Sequence, residues 1–212
     1  MSPAHLKPVA ALAGFAFLTF AGEALAETRH FHGPYLGAEI SRQQVIAGSF
    51  VSGTDFLAED GRFVGEIVGG LRGQLPFGLV VGGELSYGVF DGDLSFDDPA
   101  NSLAINYHGG GQFTYGGSIG WAVGRERDLL VYAYVKETKR SFDVSVSTAT
   151  GDFTQEDKQG ILRYGAGVEK RIAGPLQIRA SIGSGRADFG DQTTNIDPKS
   201  TIEAALGIIV QF

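Results

Sequence analysis

The chain has 212 residues, 43% of them hydrophobic, with no cysteine and a formal net charge of −7. Disulfide stapling and thiolate metal chemistry are therefore excluded, and an acidic chain without a basic stripe is no partner for nucleic acid. Glycine is the outlier at 32 residues, about twice the usual ~7%, and it falls inside alternating, strand-like runs rather than in a linker.

The first 26 residues have the layout of a cleaved signal peptide: Lys7, an apolar run from Val9 to Ala21, and a small-x-small site at Ala24-Leu25-Ala26. That run is shorter than the ~20 residues a spanning helix needs, and no later segment approaches that length. The domain reading is thus 1–26 signal peptide and 27–212 one β domain, with the net charge unchanged because Lys7 and Glu23 leave together.

After a lead-in from Glu27 to His32, the first predicted strand is Gly33–Ser41, with Leu36, Ala38 and Ile40 opposite Gly37, Glu39 and Ser41. Residues 44–61, with Gly48, Gly53, Asp55, Asp60 and Gly61, read as a long loop. The second strand, Phe63–Gly73, sets Phe63, Ile67 and Leu71 against Glu66, Gly70 and Arg72, and Leu75–Gly78 is a tight turn. The third opposes Leu79, Val81, Leu85, Tyr87 and Val89 to Gly82, Glu84, Ser86 and Gly88. A loop from Asp91 to His108 follows.

The fourth strand puts Phe113, Tyr115, Ile119, Trp121 and Val123 on one face and Thr114, Gly116, Ser118 and Gly120 on the other, before a short turn at Gly124–Asp128. The fifth, Leu129 to about Arg140, has apolar residues on both faces, and its alternation does not fix which face is which. A long loop around Thr148, Gly151 and Asp157 leads to the sixth, with Leu162, Tyr164, Ala166 and Val168 opposite Arg163, Gly165, Gly167, Glu169 and Arg171. The turn Ala173–Pro175 precedes the seventh, where Leu176, Ile178, Ala180 and Ile182 oppose Gln177, Arg179, Ser181 and Gly183. A loop with Asp188, Gly190, Asp191, Asn195 and Pro198 returns to Thr201–Phe212. In this closing strand Ile202, Ala204, Leu206, Ile208, Val210 and Phe212 oppose Glu203, Ala205, Gly207, Ile209 and Gln211.

Eight strands with strictly alternating long and short connections describe an antiparallel up-and-down transmembrane β-barrel, with short periplasmic turns and long extracellular loops. Closure removes the sticky terminal edge. Phe63, Tyr87, Tyr115 and Tyr164 fall near the loop end and Trp121 and Phe212 near the turn end, as two aromatic girdles. A soluble lipocalin-like carrier shares the alternation with its apolar face inward. The one-sided long loops and a second face mixing glycine with both signs of charge favour the membrane form. The charges expected in the lumen are Glu39, Glu66, Arg72, Glu84, Arg163, Glu169, Arg171, Arg179 and Glu203, which must pair there, either as a static plug or as a gate for ions.

From Gly33-Pro-Tyr-Leu-Gly-Ala-Glu39 to Phe212, this pattern resembles the small eight-stranded outer-membrane barrels of the OmpA-like and opacity-protein superfamily, without the periplasmic peptidoglycan-binding domain of full-length OmpA. The resemblance implies a non-enzymatic protein of the cell outer membrane, in contact with outer-membrane lipid and lipopolysaccharide and without a cofactor. Its loops are then the candidates for binding host surfaces, phage or small ligands such as haem. Phe212 resembles the terminal signal read by the barrel-assembly machinery. The alternatives are a narrow ion channel, a lipid A-modifying enzyme and the soluble carrier.

Four motifs invite chemistry and are incomplete. Tyr107-His108-Gly-Gly-Gly111 is similar to an oxyanion-hole glycine motif, with Ser95 or Ser102 as partners, yet no G-x-S-x-G elbow accompanies it. Asp91–Asp98 spaces oxygen ligands as calcium loops do, but Phe96 and Ser102 occupy the positions that need glycine and glutamate. His30-Phe-His32 lacks further metal ligands, and Gly165-Ala-Gly167 lacks the helix of a dinucleotide fingerprint.

Overall fold

The computed structural model describes residues 29–51, 54–90, 93–98, 102–149, 151–188 and 199–212. Residues 1–26, expected to be a signal segment, lie outside them, as do Gly53, Asp91 and Gly190, Asp191, Asn195 and Pro198 of the expected loops. Among the described residues ten strands form: β1 Gly33–Val51, β2 Thr54–Gln74, β3 Leu79–Phe90, β4 Leu94–Asp98, β5 Leu103–His108, β6 Gly111–Val123, β7 Leu129–Thr148, β8 Gly151–Ala173, β9 Leu176–Asp188 and β10 Lys199–Gln211. Eight of them pair antiparallel with their neighbours in the order β1-β2-β3-β6-β7-β8-β9-β10, and β10 returns to β1 with Tyr35 opposite Gln211. Eight strands therefore close the barrel, and no edge remains in that ring to seed aggregation.

Turns at one end are tight. Leu75 N–H donates to Leu79 O at 2.8 Å and Gly78 N–H to Leu75 O at 2.9 Å, and Gly78, Gly124 and Gly174 take the positive φ these turns require (96°, 92° and 51°). Phe212 N–H donates to Pro34 O at 2.9 Å, so β10 ends at the same rim where β1 begins.

The opposite end differs from the loops expected there. Residues 44–61 continue β1 and β2 as a hairpin paired from Gln44↔Gly61 to Val51↔Thr54. The stretch Asp91–His108 contains the β4–β5 hairpin, and β5 adds to the outer half of β7 through Ala104↔Ser147 and His108↔Asp143. The loop around Thr148, Gly151 and Asp157 is the paired tip of β7 and β8. The cause is visible on β7. Up to Val135 its outward residues are Val131, Ala133 and Val135 and its inward ones Tyr132, Tyr134 and Lys136; beyond Arg140 the outward ones are Asp143, Ser145 and Ser147 and the inward ones Phe142, Val144 and Val146. The strand never changes parity. What changes is the solvent on each side, so the polarity of the alternation inverts. This also settles β7, whose tyrosines point in.

On the lower part of the wall the outward residues are apolar and exposed: Leu36 and Ile40, Ile67 and Leu71, Leu85, Ile119, Val131, Leu162, Ile178, Ile182, Leu206 and Ile208. The outward apolar run on β6 from Phe113 to Val123 matches the ~9–11 residues a tilted strand needs to cross hydrocarbon. An apolar wall this extensive is stable only against lipid.

Candidate functional site

The interior is built from the inward residues of all eight barrel strands. At its centre Arg179 Nη1 lies 2.6 Å from Glu39 Oε1 and 2.5 Å from Glu84 Oε2, and Nη2 lies 2.8 Å from Glu169 Oε1. Arg72 donates to Glu169 at 2.7 Å, Gln211 at 2.7 Å and Gln177 at 3.0 Å, with its guanidinium 4.3 Å from the Tyr35 ring centroid. Lys136 pairs with Glu84, and Tyr35 Oη donates to the same carboxylate at 2.7 Å. Three cations thus meet three carboxylates, all nearly or fully shielded from water except Lys136, which is partly exposed. Such pairing offsets the cost of burying each charge, which would otherwise be several kcal/mol per ion.

A second layer lies toward the outer end. Arg163 Nη1 is 2.8 Å from Glu203 Oε2, which also accepts from Tyr134 Oη at 2.8 Å through its other oxygen. Arg163 and Arg140 both donate to Gln43 Oε1, at 2.5 and 2.7 Å; Arg140 also donates to Gln112, which passes the chain on to Glu66 at 3.0 Å. Here two guanidiniums meet two carboxylates, with glutamines as spacers. Hydrogen bonding is less complete than at the centre, since Arg140 Nη1, Arg163 Nε and Gln159 Oε1 are buried without a partner among the described residues.

Both mouths are filled by apolar packing. At the turn end Phe31 of the lead-in is fully buried with Val80, Ala122, Leu130, Tyr132 and Tyr134. Phe31 N–H donates to Gln74 Oε1 at 2.9 Å, and Gln177 and Gln211 donate to His30 O and His32 O at 3.1 and 3.2 Å. Burial and the nearby Arg171 guanidinium lower the His30 pKa, with Asp128 and Glu126 opposing. At the outer end Val45, Val64, Phe90, Leu94, Ile105, Tyr107, Phe142, Val144 and Val146 form a core, to which the β4–β5 hairpin contributes three residues.

Of the nine charges expected inside, eight enter these two layers. Arg171 sits at the turn-end rim, donating to Gly174 O at 2.7 Å and lying 3.3 Å from His30 Nε2. The rings of Phe63, Tyr87, Trp121 and Tyr164 are exposed on the outer wall, Tyr115 is half-exposed beside them, and Phe212 is exposed at the rim. Sequence reading missed Lys136 and Arg140, because the facing of their strand was open. A signal was present: Tyr132 and Tyr134 stand in register with Gly167 and Gly165, and a Cβ on either glycine would collide with the tyrosine ring, so ring and glycine must share the crowded side.

The chemical motifs do not assemble. His108 Nδ1 lies 2.9 Å from Asp93 Oδ1 in an exposed pair. Ser102 is in the turn at the far end of the hairpin from His108, and Ser95 stands opposite Asn106. Six residues of strand separate Ser102 from His108, roughly 20 Å. Among the described residues no group of three His, Asp or Glu side chains is placed to hold a metal. Gly165–Gly167 is mid-strand, facing Tyr134 and Tyr132.

Residues 9–208 match the model of the family described as outer membrane protein beta-barrel domain. Among solved structures, Ail, the attachment invasion locus protein of Yersinia pestis, is 11% identical with a TM-score of 0.50 over 85% of this chain and 99% of that one. Neisserial surface protein A is 15% identical with a TM-score of 0.45, over 85% and 97%. The outer membrane protease OmpT of Escherichia coli is 11% identical with a TM-score of 0.44, over 90% and 99%. At 11% identity the likeness to Ail speaks to fold and not to activity. A search of curated proteins finds no match.

Proposed function

Since the chain belongs to the outer membrane protein beta-barrel domain family, we propose that it resides in the outer membrane as a non-enzymatic, non-conducting barrel, acting through the folded tier that stands beyond its apolar band. The observation that carries this reading is the inversion along β7: an apolar wall around a charged interior below, and a polar wall around an apolar core above. Lipid suits the first and water the second. The outer tier is therefore a rigid, water-facing sheet, the form in which a barrel offers a surface to a macromolecular ligand.

A conducting role is disfavoured by three fillings in series: the Phe31 plug, the paired charges and the outer apolar core. Catalysis is disfavoured because the exposed His108–Asp93 pair has no serine hydroxyl hydrogen-bonded to its imidazole: Ser95 stands one pair along, opposite Asn106, and Ser102 is at the far end of the hairpin. The test uses the full chain in cells. An epitope inserted after Ala149, at the β7–β8 tip, should be labelled by antibody on intact cells, whereas one after Glu126, in a tight turn, should require permeabilisation. The protein should fractionate with outer membrane, show a heat-dependent gel shift and leave planar bilayers silent. Equal labelling of both epitopes, or stepwise currents, would sink the proposal.

A further inference from the structure

The lead-in does more than fill the turn-end mouth, because of where its partners stand. Phe31 N–H donates to Gln74 Oε1 on β2, and Gln74 N–H donates back to His32 Nδ1 at 3.3 Å. Gln177 of β9 and Gln211 of β10 hold the carbonyls of His30 and His32, and Gln211 Nε2 also reaches Pro34 O at 2.9 Å. The Phe31 ring crosses the lumen to Val80 of β3, Ala122 of β6 and Leu130 of β7. One short segment thus grips both sides of the seam between β1 and β10 and leans on the wall opposite.

Its route and its clamps are fixed by the chain around it. Gly33 takes a φ of 106°, and a Cβ there would stand 2.5 Å from Phe212 O, so glycine is what turns the chain from β1 back into the mouth, past the end of β10. Arg72 orients two of the clamps. Its Nε and Nη2 donate to Oε1 of Gln211 and of Gln177, which leaves both amide Nε2 groups free to donate to the lead-in carbonyls. The same guanidinium lies 5.4 Å from the Phe31 ring centroid, so the lead-in is tied into the central charge network.

The seam is where such a grip matters. Its ladder runs only from Tyr35↔Gln211 to Gln43↔Glu203, the shortest in the ring among the described residues. It also joins the first strand to the last, so it closes the longest loop against the largest chain entropy. We propose that His30–His32 form a strap, anchored by Phe31, which engages only once β10 has paired with β1 and then holds the seam shut. Contacts that form after the rate-limiting closure do not speed folding; they slow opening. The strap is therefore a device for kinetic persistence, placed on the shortest ladder of the wall. It needs only the closed ring, whatever the outer tier binds.

The test follows the full-length protein folding into lipid vesicles and unfolding from them in urea, read by Trp121, its only tryptophan, which is exposed on the outer wall. Phe31→Ala, which truncates a fully buried ring, should speed unfolding roughly a hundredfold and leave the folding rate within about twofold. Phe31→Leu should restore most of the difference. Hydrogen exchange in the alanine variant should accelerate more at the seam amides Tyr35–Gln43 than at Val80 and Leu130, which pack with the ring itself. Ala38→Cys/Ile208→Cys, at register partners across the seam of a chain without cysteine, separates a strap from a filler. Once the pair is oxidised the cross-link holds the seam, and adding Phe31→Ala should then change the unfolding rate by no more than about twofold. Acceleration that survives the cross-link would make Phe31 a space-filling plug and overturn the proposal, as would exchange that rises equally or more at Val80 and Leu130. Unchanged unfolding of the alanine variant would overturn it too. So would a Phe31→Ala chain that fails to fold or folds much more slowly, since a strap engaged after closure is not needed for closure.

Discussion

The lower and outer tiers of this barrel are made of the same strands and obey opposite rules. In the lower tier the wall is Leu, Ile, Val and Phe and the interior is Arg179, Arg72, Glu39, Glu84 and Glu169; in the outer tier the interior is Phe90, Ile105, Phe142, Val144 and Val146 and the wall is Asp, Ser and Lys. Burial alone therefore does not say which residue type belongs inside. Apolar residues face lipid where lipid is present and retreat from water where it is not, and the charges of the lower tier go inward because the alternative is hydrocarbon. The two tiers are held by different forces, electrostatic and hydrogen-bonded below, hydrophobic above.

That difference is broken most severely at Arg179. Its removal leaves Glu39, Glu84 and Glu169 facing each other in a lumen with Arg72 and Lys136 as the remaining cations. Breaking a buried pair costs about 3–5 kcal/mol, and with three carboxylates affected Arg179→Ala is expected at the top of that range. Urea unfolding of the detergent-folded protein would measure it, and Glu39→Gln added to Arg179→Ala should recover part of the loss by removing one orphaned charge. No recovery would mean that Arg179 acts by volume and not by charge.

In the outer tier the matching position is Phe142, edge-on to Phe90 at 5.5 Å and to Tyr107 at 6.3 Å between centroids. Phe142→Ala opens a cavity at a cost of about 3–4 kcal/mol, but locally. Hydrogen exchange should accelerate at Val45, Val64, Ile105 and Val144 while the amides of β9 and β10 keep their protection. Uniform acceleration would show that the tiers form a single cooperative unit.

The lower tier was readable from sequence because a tilted crossing strand alternates between lipid and lumen over many residues, as in Leu162–Val168 against Arg163–Glu169. The outer tier was not, and the reason is physical. Around Arg140 the sense of alternation reverses, and a pattern read with one assumed solvent turns into noise there: Phe142, Val144 and Val146 fall on the face that had carried Lys136 and Arg140. Glycines and acids at Gly48, Gly61 and Asp60 added turn-like chemistry to residues that pair as strand. The charge network was legible as composition, since paired signs facing glycine suit a narrow lumen, but the grouping into two layers depends on stagger between strands that no single strand encodes. Lys136 needed its partner Glu84, 52 positions away, to be seen at all.

The smallest and sharpest contrast uses one substitution at two outward sites on β7. Ala133 lies between Ile119 and Ala166 in register, in the middle of the apolar wall, whereas Ser145 lies beyond the inversion between Asn106 and Thr154. Ala133→Lys places an ammonium against hydrocarbon and is expected to cost about 2–4 kcal/mol in lipid vesicles. Ser145→Lys places it in water and should change stability by less than about 0.5 kcal/mol. In detergent-free urea the first cost has no bilayer to act through, so folding yields in vesicles and the unfolding midpoint in vesicles must be compared. If the two lysines cost the same, the outer half of β7 is not in water, and the boundary that locates the exposed tier is misplaced.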